Sequence, residues 1–237
     1  MSSGFPLAYA LSSAVATAAG AFGTQRAAAL TKPIPLAVLA GRALLRRQRQ
    51  HSGPGIDDAL LAGAIAFSAA GDRAMLLEEF TPTDSEADRV TKDRRLATGA
   101  ALFGAAQLCY CALFWRRGAR PTVKAFAPRM AALSESAAVL AANRPRPLLV
   151  LAPYGTSLAA MSTLAGAVDS PQPSARIGGL LFLASDFTIL NRRHLISGAT
   201  ARSISEVWVL ASYFAAQYLL TDAVDVAASP DVAGELA

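Results

Sequence analysis

Long apolar runs alternate with short polar stretches along the whole chain. The runs fall at roughly 5–23, 33–45, 57–77, 97–115, 125–142, 147–168, 176–191 and 206–224. A helix needs about 20 consecutive apolar residues to cross the hydrocarbon of a bilayer. The pattern therefore predicts an all-α fold, a polytopic transmembrane helical bundle of about eight spans. The runs 33–45 and 176–191 are short for this and must extend further or tilt little. The run 125–142 is the least apolar, because it contains Pro128, Arg129 and Glu135. Proline and glycine punctuate the connections, as at Gly53-Pro54-Gly55, Pro121, Pro145 and Pro171. The mixed-charge stretch 78–95 is expected to be a solvated surface segment. Residues 1–225 thus read as a single transmembrane domain and 226–237 as an acidic, mobile tail. The N-terminal run is rich in small residues but has no positive segment before it, so it reads as the first span and not as a signal peptide.

Composition agrees with a bilayer protein. Of the 237 residues, 53% are hydrophobic and 16% charged, and the mean hydropathy is +0.36. Soluble domains carry roughly 25% charged residues. The net charge of +5 would raise nucleic acid as a partner in a soluble protein. Here Lys and Arg gather at span ends, where lipid phosphates lie, and no nucleic-acid motif is present. Lys and Arg divide almost evenly between the two membrane faces, which assigns no orientation. The expected setting is the lipid bilayer of a bacterial plasma membrane. Cys109 and Cys111 sit two apart in one apolar run and point to different faces, so they read as small buried residues, not as a disulfide or metal pair. His51 and His194 read as solvated side chains without ligand spacing. No metal or cofactor is expected. The many Ala, Gly and Ser residues let helix backbones approach closely, as packing inside a membrane requires.

An ionisable side chain inside a span costs roughly 2.5–3.5 kcal/mol to insert and marks a functional site by default. Asp72 and Asp186 are the two that stand out, each following a small residue (Gly71, Ser185) in the later half of its span. With eight spans the third and seventh run in parallel, so both aspartates lie toward one face, called side B. Lys32 opens the second span at side B. Tyr154 lies early in the sixth, and Asn191 and Arg192 end the seventh. Gln107 and Tyr110, and Tyr213 and Gln217, lie near mid-depth. A polar pocket opening toward side B would gather most of these. Arg73 faces away from Asp72 and is not its automatic partner.

These elements occur in an order that resembles the YhhN family of membrane lysoplasmalogenases. The resemblance is carried by Lys32-Pro33, Gly71-Asp72 with Met75-Leu76-Leu77, Tyr110, and Tyr154 with Met161. It continues with Gly179 and Phe182 leading to Ser185-Asp186, Asn191-Arg192, and Tyr213-Phe214 with Ala216-Gln217. Together they cover roughly residues 30–220. Many family members carry a histidine three residues before the tyrosine of the fourth span, where this chain has Gln107.

The resemblance implies a membrane lipid substrate and hydrolysis of the vinyl ether of a lysoplasmalogen, giving a fatty aldehyde and a glycerophospho head group. Vinyl ethers hydrolyse by protonation at the β-carbon, which leaves an oxocarbenium ion for water to attack. That needs a carboxylic acid still protonated near neutral pH, a form favoured by low dielectric and by a second carboxylate nearby. An ionised partner would stabilise the cation or orient water. On this reading Asp72 and Asp186 are the catalytic pair and Lys32 meets the lipid phosphate as a point charge. Tyr154, Tyr213, Gln107, Gln217 and Asn191 contact the substrate or orient the carboxyls. Two other readings stay open on the same pattern. One is a proton-coupled transporter with an acid relay, the other a lipid-binding or structural bundle without catalysis.

Overall fold

The computed structural model describes residues 4–50, 55–143, 146, 148–168, 173–195 and 198–226. These form nine helices and, among the described residues, no strand. In chain order they are α1 (Gly4–Phe22), α2 (Gln25–Thr31), α3 (Pro33–Gln50), α4 (Ile56–Glu79), α5 (Glu86–Arg116), α6 (Val123–Asn143), α7 (Leu148–Ala165), α8 (Ser174–Leu195) and α9 (Ala199–Val226). Lys32 joins α2 to α3 with helical dihedrals, φ −53° and ψ −38°, so the two run on as one span and the chain traverses the bundle eight times. Six spans, with α2 and α3 taken together, are long and apolar enough to cross a membrane on length and composition. The helices α6 and α8, which are not among these six, complete the bundle against α7 and α9.

The outward faces have the character of a membrane protein. Leu7, Leu11, Val15, Leu45, Leu108, Leu149, Ile177 and Trp208 are all exposed. Water would penalise such a surface, whereas lipid tails would not. The interior instead holds fully buried polar side chains such as Ser68, Gln107, Ser162 and Gln217, which can survive there only by bonding to one another.

Glycines set how closely the helices pack. A Cβ on Gly99 would lie 2.7 Å from Met75 Sδ, which brings α5 hard against α4. In α8, a Cβ on Gly178 would lie 3.0 Å from Leu220 of α9, and one on Gly179 would lie 3.0 Å from Ala165 of α7. This glycine pair wedges α8 between its two neighbours. Polar ties fix the rest. The Tyr9 hydroxyl donates to the Phe214 carbonyl at 2.7 Å, joining α1 to α9. Arg42 of α3 donates to Asp222 of α9 at 2.7 Å and stacks 4.8 Å over the Phe5 ring of α1. Arg129, at membrane depth in α6, donates to Ser162 of α7 at 3.0 Å.

Several expectations change. The two short runs lie within longer helices: 33–45 lies inside α3, with α2 preceding it, and 176–191 lies inside α8. The stretch 78–95 is largely exposed, as expected, but it is helical at both ends and two of its cations are engaged. Its first two residues end α4, and α5 begins at Glu86 behind a capping box, in which Ser85 Oγ accepts from Asp88 N at 3.1 Å. Lys92 then donates to the Glu78 carbonyl at 3.0 Å, and Arg95 to the Leu77 carbonyl at 2.9 Å. The last turn of a helix presents unpaired carbonyls and partial negative charge. Two cations of α5 close the end of α4, so charges that look solvent-bound in sequence are spent inside the fold. Arg73 is exposed and points away from the bundle, as expected. The cysteines are both free. His51 lies outside the described residues, as do the side chain of His194 and the predicted tail beyond Val226.

Candidate active site

Helix periodicity brings together residues that are distant in sequence. On α4, Asp72, Met75 and Glu79 recur at intervals of three and four and share one face. On α8, Phe182, Ser185, Asp186 and Ile189 do the same, as do Glu206, Val209, Leu210 and Tyr213 on α9. These three faces, with Lys32, Leu96, Ala100 and Phe103, and Leu151 and Tyr154 of α7, line one cavity of about 100 Å³. Asp72 lies seven residues before the side-B end of α4, and Asp186 nine before that of α8. At 1.5 Å per residue these are depths of about 10 and 13 Å. The aspartates share the cavity, at similar height.

Each aspartate is held by a tyrosine from another helix. The Tyr213 hydroxyl donates to Asp72 Oδ2 at 2.9 Å. The Tyr154 hydroxyl donates to Asp186 Oδ2. Behind each tyrosine stands a fully buried glutamine. Gln217 donates from Nε2 to Ser68 Oγ at 2.9 Å and accepts from the Tyr110 hydroxyl at 3.0 Å, linking α9, α4 and α5. Gln107 Oε1 accepts from Ser157 Oγ at 2.5 Å, while its Nε2 has no hydrogen-bond partner among the described residues. Both glutamines line neither this cavity nor its neighbour. They stand one layer back, beside the tyrosines.

Gly71 precedes Asp72 because a Cβ there would lie 2.9 Å from the Phe103 ring. That ring meets Tyr213 edge-on at 5.8 Å, and Phe182 does so at 5.7 Å. Aromatic edges thus fix the tyrosine that fixes Asp72. Ser185 Oγ donates to the Val209 carbonyl at 3.0 Å and pins α8 to α9 beside Asp186. Lys32 is buried and lies at the rim, its Nζ 3.9 Å from Glu79 Oε2. Asn191 belongs to α8, but its side chain lies outside the described residues.

Sequence reasoning missed two acids of the cavity, Glu79 and Glu206. Both seemed to stand at the edge of a span. Yet Glu79 is seven residues from Asp72, and Glu206 seven from Tyr213, and that spacing marks a shared face. The cavity therefore holds four carboxyls and one lysine, among apolar residues such as Leu96, Leu151 and Ile189. Such a constellation can donate and accept protons and can stabilise a cation out of contact with bulk water. No group of acids, histidines or cysteines among the described residues is arranged to hold a metal ion.

No curated protein and no solved structure matches the chain. One family model does match, over residues 27–224, and this range contains both aspartates, both tyrosines, both glutamines and Lys32. The chain belongs to the YhhN family.

Proposed function

We propose that the protein is a membrane-embedded ether hydrolase that cleaves the vinyl ether of lysoplasmalogens, single-chain phospholipids. The observation that carries this reading is the shared cavity: Asp72 and Asp186 line one space at similar depth, each taking a hydrogen bond from a tyrosine. One aspartic acid delivers its proton to the β-carbon of the vinyl ether, and the electron pair of the C=C bond forms the new C–H bond. The resulting oxocarbenium ion faces the second, ionised carboxylate, which lowers its energy in a low-dielectric setting. Water adds to the cationic carbon and gives up a proton to a carboxylate. The hemiacetal then collapses to a fatty aldehyde and a glycerophospho alcohol. Carboxyl pairs handle oxocarbenium-like states in glycoside hydrolysis by the same division of labour.

Lys32 stands where the head group would lie, at the side-B rim, and its ammonium suits a phosphate. Tyr213 and Tyr154 orient the carboxyls, and their hydroxyls keep a lone pair for the glycerol or the attacking water. The test is aldehyde release from a lysoplasmalogen by purified, folded protein. Asp72→Asn and Asp186→Asn each abolish turnover on this proposal. Full activity in either variant removes that residue from the mechanism, and proton-driven flux in liposomes without aldehyde would replace hydrolysis with transport.

A further inference from the structure

The acid cavity, at about 100 Å³, is too small for a whole lipid, since ligand sites usually run to roughly 300–1,000 Å³. A second cavity of about 190 Å³ borders it, between α6 and α7. Leu151, Tyr154 and Asp186 line both, so the carboxyl of Asp186 and its tyrosine stand in the wall between two spaces. The rest of the second cavity is apolar or small. Leu133, Leu148 and Leu158 form its walls, and Asp186 is the one charged group lining it among the described residues. Ser134, Ala152 and Thr156 are exposed, so the space opens sideways, out of the bundle. From Leu148 to Leu158 it follows ten residues of α7, about 15 Å of helix, from the side-B end toward mid-depth. At Gly155 the nearest atom to a Cβ would be 3.9 Å away, so the channel is not closed there by packing.

The geometry points to the α6–α7 cavity as the subsite for the hydrocarbon chain of the single-chain lipid. This rests on the hydrolase reading above and extends it. With the phosphate at Lys32 and the ether between the aspartates, the chain must leave the acid cavity, and the space that adjoins it across Asp186 and Tyr154 is this one. Its apolar lining suits methylene groups, and its lateral opening lets the chain enter from the bilayer without passing the charged rim. Tyr154 then stands at the junction of chain and reacting carbon.

The test uses saturated ether lysolipids, octyl and hexadecyl glycerophosphoethanolamine, which have no C=C bond to protonate and so report binding alone. Their affinities are measured by native mass spectrometry of the protein in nanodiscs. Ala152→Trp places a large ring in the lateral opening, and Ser134→Phe does so from the opposite wall. Each weakens hexadecyl binding by roughly tenfold or more and octyl binding by less, because the longer chain places more methylene groups in the filled volume. Ala62→Trp, in the separate groove of about 400 Å³ between α3 and α4, changes neither. Wild-type hexadecyl affinity in both α6–α7 variants, or an equal loss in Ala62→Trp, overturns the subsite, as does a wild-type protein that binds both chains alike. A parallel hydrolysis assay separates the two ideas. Hydrolysis with unaltered chain preference in the variants overturns the subsite alone. Chain-selective binding without any hydrolysis in the wild type upholds the subsite and overturns the reaction.

Discussion

Asp72 and Asp186 are presented by the same device, a tyrosine hydroxyl with a buried glutamine behind it, but the two corners differ in how tightly they are built. At Asp72 the preceding Gly71 leaves no room for a methyl group beside Phe103. The tyrosine is edged by Phe103 and Phe182, and Gln217 bonds on both ends of its amide. At Asp186 the tyrosine borders two cavities, a methyl group on Gly155 would meet only ordinary contact, and Gln107 Nε2 has no hydrogen-bond partner among the described residues. A closed corner holds a group still, whereas an open corner leaves a face for substrate. The comparison assigns Asp72 the more fixed geometry and leaves Asp186 open to the second cavity.

Asparagine at either aspartate gives the largest effect. If each takes part in proton transfer, Asp72→Asn and Asp186→Asn each lower aldehyde release by about 10²–10⁴-fold, measured by steady-state turnover. A loss at one corner only would break the pairing. Next in size is stability. Gly71→Ala forces the Phe103 ring aside and costs about 1–3 kcal/mol, whereas Gly155→Ala, in ordinary contact distance, stays within about 0.5 kcal/mol of wild type. Thermal unfolding in detergent reads both, and equal melting temperatures would erase the contrast. Gln217→Leu strands the Ser68 hydroxyl, takes one of its partners from Tyr110 and costs about 1–3 kcal/mol. Gln107→Leu costs less, because among the described residues its amide makes one hydrogen bond where that of Gln217 makes two. The smallest effect falls to the hydroxyls. Tyr213→Phe and Tyr154→Phe each remove one hydrogen bond worth about 1 kcal/mol. The first lowers kcat alone, and the second changes KM as well, since Tyr154 lines the space assigned to the chain.

The number of traverses and the shared height of the two aspartates were legible in the sequence because both follow from apolar run length and helix parity. The closure of α4 by Lys92 and Arg95 was not, because a cation that caps a neighbouring helix has the same local pattern as one in water. Glu79 and Glu206 were hidden for a related reason. Apolar run length places a span's edge at the first charge, while the helix itself continues to Glu79 and begins at Ala199. The tyrosine partners were legible as residue types but not as pairs, since which helix faces which is decided by the close approaches at Gly99, Gly178 and Gly179.

The glycine pair of α8 has a further consequence. Gly179 lies seven residues from Asp186, about 10 Å along the helix axis, and never meets the cavity. It and Gly178 nonetheless decide how near α8 comes to α7 and α9, and hence whether Asp186 reaches Tyr154. Natural selection on the proposed reaction would therefore act on two positions with no side chain at all, and intolerance of alanine there would be the fingerprint of chemistry about two turns of the helix away.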